Sequence, residues 1–309
     1  DVYAFSTFDK HYVSRPHDFS PFINALPQLS SLAKQIKEKS KNYTFSRTIL
    51  RETIAQQYKS INAYSSDIES HLSSLESPNT YTIITAHQPS LLTGPLYFVH
   101  KILSCIVTAE AANKQIPGKK ILPVFIIGGE DHDFEEMNHL YYKGDKYEWV
   151  AKDAGGAVGR MSSRGIQAVI EELSTSLKKT FYGSQLLDLL LRSFDGERSA
   201  AEAMQHFLIH LFESEPILVV QMDDPAFKKA FVPHMVTEIL HAQSKAPVEK
   251  TQIDLQSLLG YGNQALARDI NFFYLHERKR SRIVQKGEVF EVLDTDIRFT
   301  GPEIKKHIE

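Results

Sequence analysis

Residues 128–139 read GGEDHDFEEMNH, the densest run of groups able to do chemistry in this 309-residue chain. Glu130, Asp131, Asp133, Glu135 and Glu136 supply carboxylates, and His132 and His139 supply imidazoles. Three chemical uses fit those types. A carboxylate or histidine can act as general base toward an amine or a water, with His132 or Asp133 the candidate. Carboxylates can hold Mg²⁺ through water beside a nucleotide. His132 and His139 with a carboxylate can hold a transition metal. The spacing matches none of the familiar zinc signatures, so no tightly bound metal is expected. A plainer use also fits: Asp133 can cap a turn beginning at Phe134, with Glu135 and Glu136 favourable in its first turn.

Two further stretches are suited to an anion. HQPSLLTG, residues 87–94, precedes an apolar helical pattern. A helix starting near Gly94, with Pro95 in its first turn, presents free N–H groups and a positive dipole end to that loop. Gly94 allows a phosphate or carboxylate to approach closely. Lys101 lies roughly 9 Å further along, at about 1.5 Å per residue. Helical side chains lean back toward the N-terminus, so its ammonium can reach the same anion. The alternative for Lys101 is a solvated surface lysine. AGGAVGRM, residues 154–161, combines flexible glycines with Arg160, whose planar fork suits a carboxylate or phosphate. Its spacing is not a dinucleotide fingerprint, and a glycine-rich turn with a structural arginine fits equally.

The elements that must position these groups follow from periodicity. Tyr81–Thr85 and Ile121–Ile127 read as strands around a helix whose expected apolar stripe is Leu96, Val99, Leu103, Ile106 and Val107. Ile217–Gln221, then MDDP, then a helix from Pro225 to Gln243 make a second strand–loop–helix unit, with Asp224 as cap and Asp223 free to join the site. The fold class is therefore α/β, a parallel sheet with helices on both faces. Ligands of such sheets bind beyond the carboxyl ends of the strands, so HQPSLLTG and GGEDHD are expected to line one pocket. Three regions are expected. Residues 1–80 form a helical apron, irregular over Asp1–Pro27. Residues 81–250 form the core with a helical insertion over Ile166–Phe212. Residues 251–309 form a small antiparallel module that ends in an unfinished helix.

Composition bounds the rest. With 42% apolar and 24% charged residues, the chain is an ordinary globular one. A net charge of −3 gives no reason to expect nucleic-acid binding. The short basic clusters Lys34–Lys41 and Arg278–Arg282 read as solvated faces. The single Cys105 excludes an internal disulfide, and its apolar helical setting reads as buried and inert. No apolar run is long enough for a membrane span and the first residues lack a signal peptide, so a cytoplasmic location is the default expectation. The chain opens at Asp1 with no initiator methionine, which reads as trimmed.

Four ordered blocks, HQPSLLTGPLYFVHK, PVFIIGGEDHDFEEMNH, GGAVGRM and ARDINFFYL, resemble the bacillithiol biosynthesis cysteine-adding enzymes, the BshC cysteine ligase family. The resemblance covers essentially the whole chain. It implies a Rossmann-like core resembling class I aminoacyl-tRNA synthetases, with connective modules and a coiled coil that makes a homodimer. It implies addition of L-cysteine to the amine of glucosaminyl-malate, with ATP as candidate co-substrate through an adenylate. By position, Gln88, Thr93, Gly94 and Lys101 match the first block. Glu130, Asp131, His132, Asp133, Asn138 and His139 match the second. His87 departs from the pattern, where glutamine is expected. Family members are longer, so segments that complete the core and form the coiled coil are expected beyond Glu309. The alternatives from other classes are a binding or assembly protein that kept the fold without the chemistry, and a metal-dependent hydrolase built on EDHD and His139.

Overall fold

A computed structural model of the chain describes residues 5–43, 45–152, 154–262, 266–276 and 278–309. The helices are α1 (Thr7–Ser14), α2 (Leu32–Asn42), α3 (Arg47–Ser60), α4 (Ser66–Leu75), α5 (Tyr97–Gln115), α6 (Phe134–Met137), α7 (Ile166–Leu177), α8 (Gly183–Ser193), α9 (Ala200–Leu211), α10 (Pro225–His241), α11 (Lys245–Leu259) and α12 (Gly301–Ile308). The strands are β1 (Thr80–His87), β2 (Lys120–Ile127), β3 (His139–Tyr142), β4 (Asp145–Glu148), β5 (Leu218–Gln221), β6 (Phe273–His276), β7 (Lys279–Lys286), β8 (Val289–Val292) and β9 (Arg298–Thr300). Two compact units result. One is Thr44–Lys229 with Leu275–Arg280, and the other is Asp1–Tyr43, Ala230–Tyr274 and Ser281–Glu309.

The first unit is built on a parallel sheet of order β1–β2–β5. β2 is apolar from Ile121 onward because both its faces are covered. Phe125 and Ile127 face a core with Phe98, Ile102 and Ile106 of α5 and with α7, α8 and α9. Leu122 and Val124 face Ile54 and Tyr58 of α3 and Leu72 and Leu75 of α4. This is the expected α/β architecture. α3 and α4 lie on the sheet itself, so the compact units divide at 43 and 229 rather than at the expected 80 and 250. The outer edge of β5 is closed by side chains. Val219 N–H donates to Tyr58 Oη at 2.8 Å and Gln221 N–H to Gln57 Oε1 at 3.0 Å. Gln205 Nε2 donates to the Val219 carbonyl at 2.9 Å and Gln57 Nε2 to that of Gln221 at 3.0 Å. These bonds fix the strand that delivers MDDP.

α5 differs from its expected phase. Phe98, Ile102, Cys105, Ile106, Ala109 and Ala112 are its buried residues, whereas Leu96, Leu103 and Val107 are exposed. The helix is apolar on two stripes: Ile106 of the expected stripe is buried together with Phe98, Ile102 and the small residues, while Leu103 and Val107 of that stripe are not. It also begins at Tyr97, with Pro95 ahead of its first turn. Cys105 is 4% exposed, and burial pushes its thiol up.

Most of a four-stranded sheet of order β6–β7–β8–β9, antiparallel across β7–β8 and β8–β9, lies in the second unit. Its core is Ile239, Ile270, Ile283, Phe290 and Ile304. Two expectations are corrected. The N-terminal stretch contains α1, started by a capping box of Ser6 and Asp9. Residues 251–259 continue α11, which ends at left-handed Gly260, so the antiparallel module starts only later.

Candidate functional site at the strand ends

The loops after β1, β2 and β5 leave the sheet side by side. Gly128 N–H donates to the His87 carbonyl at 2.9 Å, and Met222 N–H to the Ile127 carbonyl at 3.3 Å. HQPSLLTG, GGEDHD and MDDP therefore open at one sheet edge, the carboxyl edge where ligands of parallel sheets bind.

A fourth loop, AGGAVGRM, is strapped onto GGEDHD. Val158 N–H donates to the Asp131 carbonyl and Gly159 N–H to the Gly129 carbonyl, both at 2.8 Å. A Cβ on Gly159 would lie 2.6 Å from Gly129 Cα, so the close approach demands glycine. This seat carries Arg160 to Asp223, with Nε and Nη2 at 2.5 and 2.7 Å from its two oxygens. Lys228, in the first turns of α10, stands 2.5 Å from Asp223 and 2.7 Å from Glu130. Arg160, Asp223, Lys228 and Glu130 thus alternate in sign along one chain of contacts. Burial alone would raise the Asp223 carboxyl, but the hydrogen bonds from Arg160 and Lys228 outweigh it and hold it below the usual range. The Asp223 bond in turn raises the Arg160 guanidinium.

Asp131 is held in the same way. Burial pushes it up, while Gln88 Nε2, the amides of His132 and Asp133, and the charge of Arg280 together bring it below the usual range. Gln88 bonds Asp131 and reaches Glu136 at 3.5 Å, so it ties the first loop to the second. His132 is half-exposed, and its Nδ1 lies 3.2 Å from Arg280 Nη1. Asp133 caps α6, accepting from Glu136 N–H at 3.4 Å, the plainer of its two expected roles.

Other expected site residues stand differently. Thr93 N–H donates to the Ser90 carbonyl and Gly94 N–H to that of Leu91, at 3.1 and 2.7 Å. Those amides close a 3₁₀ turn in which Leu92 and Thr93 have positive φ, so they do not face an anion. Lys101 Nζ donates to the Ala86 carbonyl at 2.5 Å, on the β1 side of α5, rather than to the Gly94 region. Its charge, after burial, helps keep His87 below its ordinary range, and His87 Nε2 stands 2.9 Å from Tyr97 Oη. Asn138 is buried and bonds Glu148 across β3–β4 at 3.3 Å, and His139 Nδ1 bonds Asn138 at 3.0 Å. Both serve that hairpin. Among the described residues no three His, Cys, Asp or Glu side chains are grouped as a metal ion requires, and no helix is long and apolar enough to cross a membrane.

Sequence reasoning passed over Lys228 and misread Arg280. Lys228 carried a signal, because it follows MDDP at the start of a strand–loop–helix unit. Arg280 lay in a basic cluster read as solvated, and only the tertiary path of Leu275–Arg280 brings it to His132.

Residues 2–309 match the family described as Bacillithiol biosynthesis BshC, N-terminal Rossmann-like domain. Relatives named "Putative cysteine ligase BshC" include one from Cytophaga hutchinsonii, 34% identical over 100% of this chain and 56% of its own length. One from Flavobacterium johnsoniae is 31% identical over 99% of this chain and 57% of its own. One from Bacillus velezensis is 25% identical over 98% and 57%. The chain spans about half the length of the curated relatives it matches. On these matches and on its parallel, helix-covered sheet, the chain belongs to the BshC family and forms its N-terminal Rossmann-like domain.

Proposed function

We propose that this domain carries the reaction edge of a ligase that joins the carboxyl of L-cysteine to the amine of glucosaminyl-malate. The observation that supports the reading is the convergence of three strand-end loops on one set of opposed charges. Arg160 and Lys228, oriented by Asp223, suit the substrate carboxylates. Glu130 and Asp131 suit an ammonium before reaction. With the cysteine carboxyl carrying a leaving group on one oxygen, the amine nitrogen attacks the carbonyl carbon, the C–N bond forms, the bond to that oxygen breaks as the oxygen departs with the leaving group, and the amine proton passes to a carboxylate. Asp133 is the group for that transfer, because it is exposed and only one of its oxygens is used by the cap.

ATP would make the cysteine carboxyl reactive by giving it a better leaving group. The amides at Thr93 and Gly94 are engaged by turn carbonyls, so the first loop does not fit a phosphate cradle. The test is incubation of the full-length protein with glucosaminyl-malate and cysteine, with and without ATP, followed by mass spectrometry. A product with the mass of the cysteinyl amide supports the reading, and the ATP arm decides the activation. No product in either arm, from protein that binds glucosaminyl-malate in calorimetry, overturns it in favour of binding without chemistry.

A further inference from the structure

We infer that Arg280 is a positioning residue that fixes His132 as a hydrogen-bond donor, with its proton on Nε2, and so removes it from the role of proton acceptor. The tautomer follows from the donor inventory. A guanidinium has five N–H donors and no acceptor. Arg280 Nη1 lies 3.2 Å from His132 Nδ1, so Nδ1 receives that bond with its lone pair. A neutral imidazole with a lone pair on Nδ1 carries its proton on Nε2.

The competing arrangement is an Nδ1–H aimed at Asp131. Its Oδ1 is 3.5 Å from Nδ1, at the limit of a hydrogen bond, and that oxygen already accepts from the His132 backbone N–H at 2.7 Å. A proton on Nδ1 would also face the Arg280 N–H, donor against donor. The shorter contact favours Arg280.

The backbone around the pair is shaped to keep it. Residues Leu275–Arg280 pack in the parallel-sheet unit although β6 and β7, whose ends they include, belong to another sheet. Their seat is Gly155, where a Cβ would stand 2.9 Å from the Arg278 carbonyl oxygen. Gly155 lies in the loop strapped to Asp131 and Gly129 by Val158 and Gly159. The glycine-rich stretch therefore has two seats, Gly159 for the acidic loop and Gly155 for the segment that brings Arg280.

His132 then offers an N–H to solvent at the strand ends. Its chemistry is donation to an oxygen that gains negative charge, such as the acyl oxygen of an activated carboxyl. The catalytic part of this inference rests on the ligase reading above, while the tautomer does not.

Two measurements separate them. In two-bond proton–nitrogen NMR of the full-length protein, with His132→Gln used to assign the resonance, His132 should show a protonated Nε2 and an acceptor-type Nδ1. Arg280→Met should abolish that preference, and Arg280→Lys, which keeps a donor, should restore part of it. A protonated Nδ1 in the wild type, or a spectrum unmoved by Arg280→Met, overturns the inference whether or not the protein is a ligase. For the catalytic part, a glutamine Nε2 superposes on a histidine Nε2 and donates but cannot take a proton. His132→Ala should lower kcat about 100-fold or more, the scale of one lost oxyanion donor, while His132→Gln should stay within about tenfold of wild type. Equal losses in the two variants, with melting unchanged, would restore His132 as a base and overturn the donor role.

Discussion

The loop after β1 and the loop after β2 begin at paired positions of the same sheet, yet they spend their polar groups in opposite ways. Apart from Gln88, which donates to Asp131, HQPSLLTG turns inward: Ser90 and Leu91 carbonyls take the amides of Thr93 and Gly94, and His87 bonds its own neighbour and Tyr97. GGEDHD turns outward. Its backbone takes the amides of Val158 and Gly159, and its side chains reach Gln88, Lys228 and Arg280. A loop that satisfies itself is a rigid spacer, whereas a loop satisfied by four other segments is a junction. The difference teaches that the acidic loop, rather than the helix N-terminus beside it, organises the site.

The sharpest way to break the junction is at its seat. Gly159→Ala places a Cβ 2.6 Å from a backbone atom, so the two loops must separate and Arg160 must leave Asp223. Overpacking of this kind costs about 2–3 kcal/mol. The expected result is a lowered melting temperature together with loss of product formation. A melting temperature within error of wild type would mean the loops are not strapped as described.

A medium effect is expected from the charges. Asp131 and Asp223 both have folded carboxyl pKa values below the usual range. The unfolded chain therefore binds more protons than the folded one over the acid range, and stability falls with falling pH. The contribution is full above about pH 4, near the unfolded aspartate value, and is lost as pH falls through the folded values. Asp223→Asn should flatten that acid dependence in denaturant titrations. The Asp223 side chain is only 10% exposed but its partner Arg160 is 55% exposed. The loss at neutral pH should accordingly lie between a surface pair and a buried one, about 1–2 kcal/mol. An unaltered acid slope would show that Asp223 is not held by its cations.

The same contrast explains what could be read before the fold was seen. β1, β2 and β5 and the meeting of their loops followed from apolar runs and the rule for parallel sheets, because strand burial imprints itself on consecutive residues. The phase of α5 did not, since a helix with apolar residues on two stripes offers two faces, and only Phe98 and Ile102 packing on Phe125 selects one. The place of Glu130 and Asp131 at a strand end was legible, though their partners and that of Arg160 were not. Arg160 with Asp223 spans 63 residues and Arg280 with His132 spans 148, and no local pattern carries such pairings. Asn138 and His139 share a motif with the site residues, but β3 turns them into the hairpin with β4.

The smallest effect is expected beside the first loop, at Lys101 of α5. An ammonium placed at a helix start would bind an anion strongly, and its removal would cost about 1.5–3 kcal/mol of affinity, the scale of a hydrogen bond to a charged group. Here the ammonium instead donates to the Ala86 carbonyl at the end of β1, in a groove shared with Ile84, Tyr97, His100 and Ser104. Lys101→Met keeps most of the carbon stem over that groove and deletes only the charge. Stability should change by no more than about 1 kcal/mol, the net worth of one partly exposed hydrogen bond. Titration of phosphate and of glucosaminyl-malate against Lys101→Met and wild type should give affinities that differ less than those of Arg160→Met and wild type. The reverse ranking would move the anion site back to the first loop, and would make the inward-turned amides of Thr93 and Gly94 a closed state of a cradle rather than a spacer.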